Sequence, residues 1–462
     1  MFILEYNNTK RVFDDEKRLE LMKKTTVKYP FLTQDVEIYE RENGHKVVLA
    51  HKDGELVNIS TWVKTGSINE TDKNNGISHF LEHLMFKGTY KHAAGEFDKM
   101  LEARGAVVNA ATWKDYTFYY VTIPKDEKDE NFNLALELHA DMMTDPVLPE
   151  DEIGKPFNFD EDKNVDVKRE RHVVIEEIRM REDQPWTKVY NAANDLMYKS
   201  HPYKRDVIGT PQIISQLSRD EIMNYYKTFY SPANMTTIIA GNFNHDKVLD
   251  KVENLFDFKN RKNMPQKAYS MDNPVTETRY TENTACISSA FLMFGYLDAR
   301  ANDIKNCIIL DMLSVILGEG ASSRLYRNLI EKQPEQIFNM IDSEHYIFRD
   351  GGNFFVQGNF KPEMKEKAIE LVKGELEALK TTITDGELNK AKKKIKSRFA
   401  ANAETVAEIG ENIGYYMTVC NDLSLVTDYL DILERITIAD LQEAARKYLN
   451  INNAVISLLL PE

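Results

Sequence analysis

The hydrophobic and polar positions of this chain follow the same order twice. In each half, a short run of aromatic and β-branched residues predicts a strand, and apolar residues at helical spacing follow it after a polar turn. Each half then closes with an apolar-faced helix that leads into another apolar strand. In the order strand, helix, helix, strand, these segments are residues 118–123, 131–143, 217–230 and 234–240 in the first half and 353–357, 367–379, 436–449 and 453–459 in the second. The repetition predicts an internal duplication.

The boundary between the two copies is a polar stretch, residues 257–268, which is charged, contains a proline and has little periodicity. A chain of 462 residues also exceeds what one hydrophobic core usually organises. We therefore expect an N-terminal extension (1–34), a first domain (35–250), a linker (251–275) and a second, homologous domain (276–462). The predicted fold class is α+β, with a mostly antiparallel sheet in each domain and helices packed on one face.

One segment of the first domain interrupts these patterns. Residues 154–168 are charged, contain glycine, proline and asparagine, and lack helical periodicity. They predict an insertion, which is either a solvated loop or an element that gates access of substrate.

Composition and charge narrow the range of functions. With 42% hydrophobic and 29% charged residues, the chain has enough apolar material for sizeable cores. Its formal net charge of −15 argues against nucleic acid as the main ligand, because phosphate binding needs a basic face. The acidic excess either serves solubility or favours basic and neutral peptides as substrates. No stretch approaches 18 apolar residues, so no membrane span is predicted.

The cysteines and the first residues bear on location. Cys286, Cys307 and Cys420 are odd in number and widely spaced, which indicates free thiols in a reducing compartment and not a disulfide framework. The apolar run at residues 1–4 is too short for the core of a signal peptide. We expect a cytoplasmic protein.

The candidate chemistry centres on an H-x-x-E-H run formed by His79, Glu82 and His83. Apolar residues recur at helical spacing around it, after a turn-forming Asn-Asn-Gly sequence. On a helix, histidines four residues apart project from one face and suit two zinc ligands, while the glutamate lies close enough to act on water at the metal. The alternative is that these three residues are hydrogen-bonded polar groups at the edge of a packed helix and bind no metal. A third ligand is therefore needed to support a metal site.

A second helical pattern, residues 170–182, supplies candidate carboxylates. Glu170 and Glu177 are two turns apart and share a face, so a carboxylate there can reach a metal held by another helix. Glu177 is therefore the candidate third ligand.

Together these segments resemble the pitrilysin/insulinase-type inverzincin metallopeptidases, the group that includes mitochondrial processing peptidase. The similarity extends from about residue 35 to the C-terminus, and the segments that carry it lie within residues 76–89, 109–119, 170–178, 201–234 and 318–326. The spacing from His83 to Glu177 is longer than usual in the family, by about the length of the 154–168 insertion. The resemblance implies two homologous domains that form half of a clamshell.

The resemblance also implies roles for the motif residues. His79, His83 and Glu177 would hold one Zn²⁺. Glu82 would be the general base, and Glu170 would orient a ligand or aid proton transfer.

Substrate binding in this family uses an edge strand, beside which the peptide adds as a further strand. The resemblance places Asn109, Ala110 and Ala111 at this position. The alternative is an ordinary core strand with Asn109 in a turn.

The similarity breaks in the second domain. Family members need an arginine and a tyrosine seven residues apart, which bind substrate and stabilise the carbonyl oxyanion. The matching positions hold Ile330 and Ile337, which cannot donate a hydrogen bond. In two-chain members these groups come from a second subunit, so the resemblance implies the zinc-bearing subunit of a heterodimeric endopeptidase that acts on peptides or unfolded protein segments. A non-catalytic scaffold or assembly subunit and a self-sufficient homodimeric peptidase are the alternatives.

Overall fold

The structure, a computed structural model, describes residues 22–160, 169–259, 261–263 and 267–462. Contacts divide the chain into two compact units. The first unit takes the chain up to Ile175 together with Val207–Lys267 and Ala400–Thr427, and the second takes Glu176–Asp206, Ala268–Phe399 and Asp428–Glu462. Ile175, where the first segment of the first unit ends, lies inside one continuous helix, Glu170–Glu182. The first turn of this helix is attached to the first unit.

The strands of the described residues form two sheets. Their bounds are β1 Lys23–Val27, β2 Val36–Glu40, β3 Lys46–His51, β4 Leu56–Val63, β5 Val107–Thr112, β6 Thr117–Pro124, β7 Met235–Gly241, β8 Arg279–Ala285, β9 Ala290–Asp298, β10 Phe338–Ile347, β11 Gly352–Phe360 and β12 Val455–Pro461. The first unit holds a seven-stranded sheet in the order β1-β2-β3-β7-β4-β6-β5, and the second holds a five-stranded sheet in the order β10-β11-β9-β12-β8. One pair in each sheet is parallel, and the other pairs are antiparallel.

Helices pack on these sheets. Their bounds are α1 Ile77–Met85, α2 Glu96–Glu102, α3 Glu130–Thr144, α4 Glu150–Ile153, α5 Glu170–Glu182, α6 Pro185–Met197, α7 Pro211–Gln216, α8 Arg219–Phe229, α9 His245–Leu255, α10 Ile304–Gly318, α11 Lys365–Leu379, α12 Asp385–Ala401, α13 Val406–Tyr415, α14 Leu425–Arg435 and α15 Ile438–Tyr448. Two π-helical segments, Tyr326–Glu331 and Tyr416–Cys420, occur in the second half of the chain. None of the described helices is both long and apolar enough to cross a membrane.

The sheet of the first unit is covered on both faces, and β4 is buried from its second residue to its last. One face of β4 packs against α3, where His139 Nε2 and Thr61 Oγ1 form a hydrogen bond of 2.9 Å. The other face packs against α13, which comes from the C-terminal half of the chain. A Cβ at Gly414 of α13 would approach the Trp62 ring to 2.1 Å, so only glycine allows this approach. The sequence predicted helices on one face, and α13 adds a layer on the other.

The sheet of the second unit shows the same arrangement around β9. Leu292 and Phe294 of β9 belong to the core that α10 shares. The opposite face packs against α6, a helix from the N-terminal half, where the Trp186 ring lies edge-on to Phe291 with centroids 4.9 Å apart. A helix from each half of the chain therefore covers the sheet formed by the other half.

The two sheets share one topology. The order β3-β7-β4-β6-β5 in the first unit equals β8-β12-β9-β11-β10 in the second when strands are taken in chain order. The parallel pair occupies the same place, as β3 with β7 and as β8 with β12. The predicted α+β duplication is therefore confirmed, and β1 and β2 are additions to the first copy.

The linear domain boundaries expected from the sequence stay a prediction. The structure shows secondary structure in the expected N-terminal extension and in the expected linker. Residues 23–27 of the expected N-terminal extension form the edge strand β1. Residues 251–255 of the expected linker are the last turn of α9, where Val252 is buried. Residues 161–168 of the expected insertion lie outside the described residues.

Candidate metal centre

Helix α1 begins at a glycine and a buried carboxylate. Gly76 has φ of 93°, and a Cβ there would approach the Ile208 carbonyl oxygen to 2.5 Å, so glycine is required. Glu70 lies across the first turn: its Oε2 accepts from Gly76 N (2.8 Å) and Asn75 Nδ2 (2.7 Å). Its Oε1 accepts from Ser78 N (2.9 Å) and Ser78 Oγ (2.6 Å). These bonds satisfy N–H groups that lack a partner inside the helix, so Glu70 holds the start of α1 in place.

The two sides of α1 differ in chemistry. One side is buried in the core of the first unit and consists of Ile77, Phe80, Leu81, Leu84 and Met85. The other side presents His79, Glu82 and His83, all half-buried. The rings of His79 and His83 have centroids 4.7 Å apart, as expected for residues one turn apart on a helix face.

Helix α5 is fixed in the first unit by Arg171, which is 1% exposed. Its guanidinium donates to five backbone carbonyl oxygens, among them those of Ile153 (2.6 Å), Ser215 (2.5 Å) and Leu217 (2.6 Å). Burial lowers the pKa of Arg171 to about 10, which leaves the side chain charged at neutral pH. The first turn of α5 is therefore held to the rest of the unit by charge-assisted hydrogen bonds.

Glu170, beside that arginine, connects α5 to α1. Its Oε1 lies 2.9 Å from His83 Nδ1, and its Oε2 lies 2.5 Å from Lys87 Nζ, just beyond the end of α1. Burial raises the pKa of Glu170, but the hydrogen bonds from His83 and Lys87 outweigh it and leave the pKa below its ordinary value. Because Glu170 is ionised, His83 Nδ1 donates the proton, and Nε2 is the ring nitrogen suited to bind a metal.

The structure brings His79, His83 and Glu177 together. Each offers one ligand atom, and the three atoms lie within 4.8 Å of one another. Glu177 reaches this position because it lies two turns after Glu170 on the continuous helix α5. Two imidazoles and one carboxylate form a donor set that catalytic zinc sites use, with a further position left for water or substrate. The residues therefore fit a zinc ion.

Glu82 faces strand β5. Thr112 Oγ1, at the end of β5, donates a hydrogen bond of 2.5 Å to Glu82 Oε2. The general base expected from the sequence thus lies between the candidate ligands on its own helix and the last residue of this strand.

Asn109, Ala110 and Ala111 lie inside β5, and Asn109 is not in a turn. β5 is the last strand in the sheet order and pairs with β6 on one side only. No strand among the described residues covers its outer edge. Val107, at the start of the strand, is 59% exposed. The expected substrate-binding segment is therefore an exposed sheet edge.

The two positions where the resemblance leads us to expect an arginine and a tyrosine hold apolar residues at the core of the second unit. Ile337 is fully buried, and Ile330 packs against the same core. The nearby Arg324 is engaged with Glu387 through bonds of 2.6 and 2.8 Å. Within the described residues of this region, the two isoleucines fill space in the core and supply no hydrogen-bond donor.

Comparison with known proteins identifies the family. Residues 46–211 match the sequence pattern described as insulinase (peptidase family M16), and residues 216–395 match the one described as the peptidase M16 inactive domain. A Helicobacter pylori protein named zinc protease PqqE is 31% identical over 436 residues, which cover 91% of each protein. The chain belongs to peptidase family M16.

Further similarities of this M16 chain agree with that assignment. The crystal structure of a protease from Helicobacter pylori has a TM-score of 0.80 and 29% identity, and the match covers 96% of this chain and 100% of that one. An Arabidopsis thaliana protein named probable mitochondrial-processing peptidase subunit beta is 22% identical over 413 residues, or 87% of this chain and 74% of the relative. The resemblance and the two-domain α+β fold predicted from the sequence are confirmed.

Four residues of the M16 site were not predicted: Glu70, Lys87, Arg171 and Thr112. Lys87 lies in the segment that carries the resemblance, and Thr112 directly follows Asn109–Ala111, but neither position reveals its partner. Lys87, Arg171 and Thr112 act through residues distant in the chain, as in the bond between Thr112 and Glu82, so no local pattern could assign them. Glu70 acts on residues only five to eight positions later.

Proposed function

We propose that this M16 chain is the zinc-bearing subunit of an endopeptidase that hydrolyses peptides or unfolded protein segments. The observation that carries the proposal is the convergence of one ligand atom each from His79, His83 and Glu177 within 4.8 Å. Glu82 lies on the same face of α1 as the two histidines. Relatives named zinc proteases support the same reaction class.

The chain's own residues at this site would have separate roles in the reaction. When bound, Zn²⁺ would supply a Lewis acid that polarises the peptide carbonyl and makes water more acidic. Glu82 would take a proton from the attacking water and pass it to the leaving amine. Glu170 would act through His83, because its carboxylate holds His83 Nδ1, and it is therefore a positioning residue.

The substrate would bind along the outer edge of β5. Main-chain groups of Asn109, Ala110 and Ala111 would pair with an extended peptide, which gives affinity with little dependence on sequence. An unfolded segment can adopt this extended form, whereas a folded domain would have to open first. The preference for unfolded substrates follows from that requirement.

The second half of the reaction machinery would come from another chain. Ile330 and Ile337 cannot donate hydrogen bonds to a developing oxyanion, and loss of such a donor costs about 10²–10³ in rate. A homologous subunit with an arginine and a tyrosine at these positions would restore the donors. The relative named as a subunit of a processing peptidase supports an assembly of this kind.

Two alternatives remain as outcomes of the tests. A homodimer would need a donor from its own second unit. A scaffold subunit would need no metal, and the description of the second matched segment as an inactive domain concerns residues 216–395, which contain none of the candidate ligands.

The metal site is tested by a pair of neighbouring glutamates on α5. Glu177→Gln should reduce bound zinc strongly, whereas Glu176→Gln should retain it, because Glu176 is 62% exposed and pairs with Arg179. Glu82→Gln should retain zinc and abolish cleavage of a fluorogenic peptide by the assembled enzyme. Equal zinc content in the two α5 variants, or substantial activity of Glu82→Gln, would refute the assignment.

The partner is tested by the activity of the purified zinc-loaded chain alone. We expect weak cleavage by the chain and strong cleavage after addition of the homologous protein that copurifies with it. Strong zinc-dependent cleavage by the chain alone would favour the homodimer, and zinc loading without cleavage in any combination would favour the scaffold.

A further inference from the structure

The hydrogen bond between Thr112 and Glu82 has a role beyond packing. The Glu82 side chain ends in a carboxylate that can rotate about three torsions, and it is only half-buried. Thr112 Oγ1 lies 2.5 Å from Oε2 and donates its single hydroxyl hydrogen to that oxygen. The bond occupies one of the two carboxylate oxygens and restricts the orientation of the carboxylate.

The donor is held more rigidly than the acceptor. Thr112 is the last residue of β5 and pairs with Thr117 across a tight turn, closed by a bond of 2.8 Å from Trp113 N to Tyr116 O. The same turn is tied to the chain before α1, because Thr117 Oγ1 donates to the Thr65 carbonyl oxygen at 3.0 Å. A β-branched side chain in a strand has a restricted χ1 angle. The hydroxyl is therefore a fixed point to which the carboxylate is bound.

A general base gains from such a fixed partner. Proton transfer requires the accepting oxygen to face the proton within hydrogen-bond distance, and a rotating carboxylate spends only part of its time there. A hydrogen bond to a charged group is strong enough to favour one orientation by at least about tenfold. The strand that holds the hydroxyl also contains Ala110, two residues earlier, so the proposed substrate strand and the base are connected through one element.

We propose that Thr112 is a positioning residue that orients Glu82 for proton transfer and couples strand β5 to the base. This inference rests on the proposed function, because it assigns Thr112 a role in a reaction in which Glu82 is the base. Thr112 donates its side-chain hydrogen bond to the base, and none of the described hydrogen bonds joins it to a candidate metal ligand, so its removal should affect the chemical step and leave metal binding unchanged.

The test compares Thr112→Val, which keeps the shape and removes the hydroxyl, with Thr112→Ser, which restores a hydroxyl. In the zinc-loaded enzyme with its copurifying partner, we expect Thr112→Val to lower kcat about 10–100-fold, with KM and zinc content within twofold of the unmodified enzyme. Thr112→Ser should recover kcat to within about threefold. Thr122→Val is the matched control: it removes a hydroxyl from a half-buried threonine on the neighbouring strand β6, whose bond is from Asn58 Nδ2 and not to Glu82. Unchanged kcat in Thr112→Val, or an equal loss in Thr122→Val, would overturn the proposal.

A structural measurement separates this proposal from the proposed function. Crystal structures of the zinc-loaded protein and of Thr112→Val should show the Glu82 carboxylate on Thr112 in the first and rotated in the second. If the carboxylate rotates but the unmodified enzyme cleaves no peptide, Thr112 still sets the orientation of Glu82, and it is the peptidase assignment that fails. If peptide is cleaved and Glu82 keeps its orientation without the hydroxyl, the peptidase assignment stands and the positioning role fails.

Discussion

Removal of the Glu70 carboxylate should unfold the start of the metal helix α1. Glu70 is 2% exposed, and its two oxygens accept bonds from Gly76 N, Ser78 N, Ser78 Oγ and Asn75 Nδ2. In Glu70→Ala, the backbone N–H groups of Gly76 and Ser78 lose their acceptor, whereas Ser78 Oγ keeps its bond to Tyr225. An unsatisfied buried donor costs about 1–3 kcal/mol, and water entering the vacated space would offset part of the sum. We expect a loss of about 3–5 kcal/mol in the free energy of unfolding.

Glu70→Gln provides an intermediate case. The amide keeps one oxygen and so satisfies the donors on one side, but its NH₂ group faces donors on the other, which should cost about 2–3 kcal/mol. Although burial raises the pKa of Glu70 against the effect of its hydrogen bonds, the amide of glutamine still satisfies more of these donors than alanine can. Accordingly, the loss in Glu70→Gln should be smaller than the loss in Glu70→Ala.

The assay is urea-induced unfolding followed by circular dichroism at pH 7, with a chelator present so that metal binding adds nothing to stability. Glu102→Gln is the control, because Glu102 is an exposed residue at the end of α2 and should change stability by less than about 0.5 kcal/mol. A loss below about 1 kcal/mol in Glu70→Ala would refute the argument that this carboxylate holds the helix.

Three further predictions follow from contacts described above. Glu170→Gln should weaken zinc binding about 10–100-fold in chelator competition, because His83 loses its anionic partner, and an unchanged affinity would contradict the positioning role. Burial lowers the pKa of His139 to about 3, whereas it is about 6.5 in the unfolded chain. Between these values only the unfolded chain binds the proton, so the free energy of unfolding is unaffected by the titration of His139 above pH 6.5 and falls as the pH drops towards 3. His139→Gln should therefore flatten the decline in unfolding free energy between pH 6.5 and pH 4.5 by roughly 2–3 kcal/mol, and an unaltered slope in urea titrations would count against it. Gly414→Ala should lower stability by about 2–4 kcal/mol because its methyl group would overlap the Trp62 ring. The control Gly374→Ala on α11, with open space around it, should be neutral or slightly stabilising. Similar effects of the two variants in thermal unfolding would disprove the packing argument.

Much of the fold could be predicted from local patterns. The segment order strand, helix, helix, strand appears twice because amphipathic spacing is a local property of the sequence, and the two sheets have the same strand order. The exchange of α6 and α13 between the sheets could not be predicted in the same way. The apolar face of a helix indicates that the helix packs against another element, but it does not indicate which sheet that is.

Most of the metal-site residues could be predicted from residue spacing along single helices. An i, i+4 pair of histidines must share a face of α1, and the H-x-x-E-H order puts Glu82 beside His83. Glu177 could be proposed from its two-turn spacing to Glu170, although the sequence contains no distance between α1 and α5. The 4.8 Å grouping of the three ligand atoms depends on how Glu170 and Arg171 attach the first turn of α5.

The sequence by itself determined the reaction class to be expected, because a helix converts residue spacing into a shared face without help from the rest of the chain. It also determined that Ile330 and Ile337 lack hydrogen-bond donors, since that is a property of the side chain alone. Only the tertiary structure decided which groups hold the reacting residues: Glu70 on the start of α1, Lys87 on Glu170, and Thr112 on Glu82. The contacts of Lys87 and Thr112 join residues far apart in the chain, and their distances arise from packing, which no local pattern encodes.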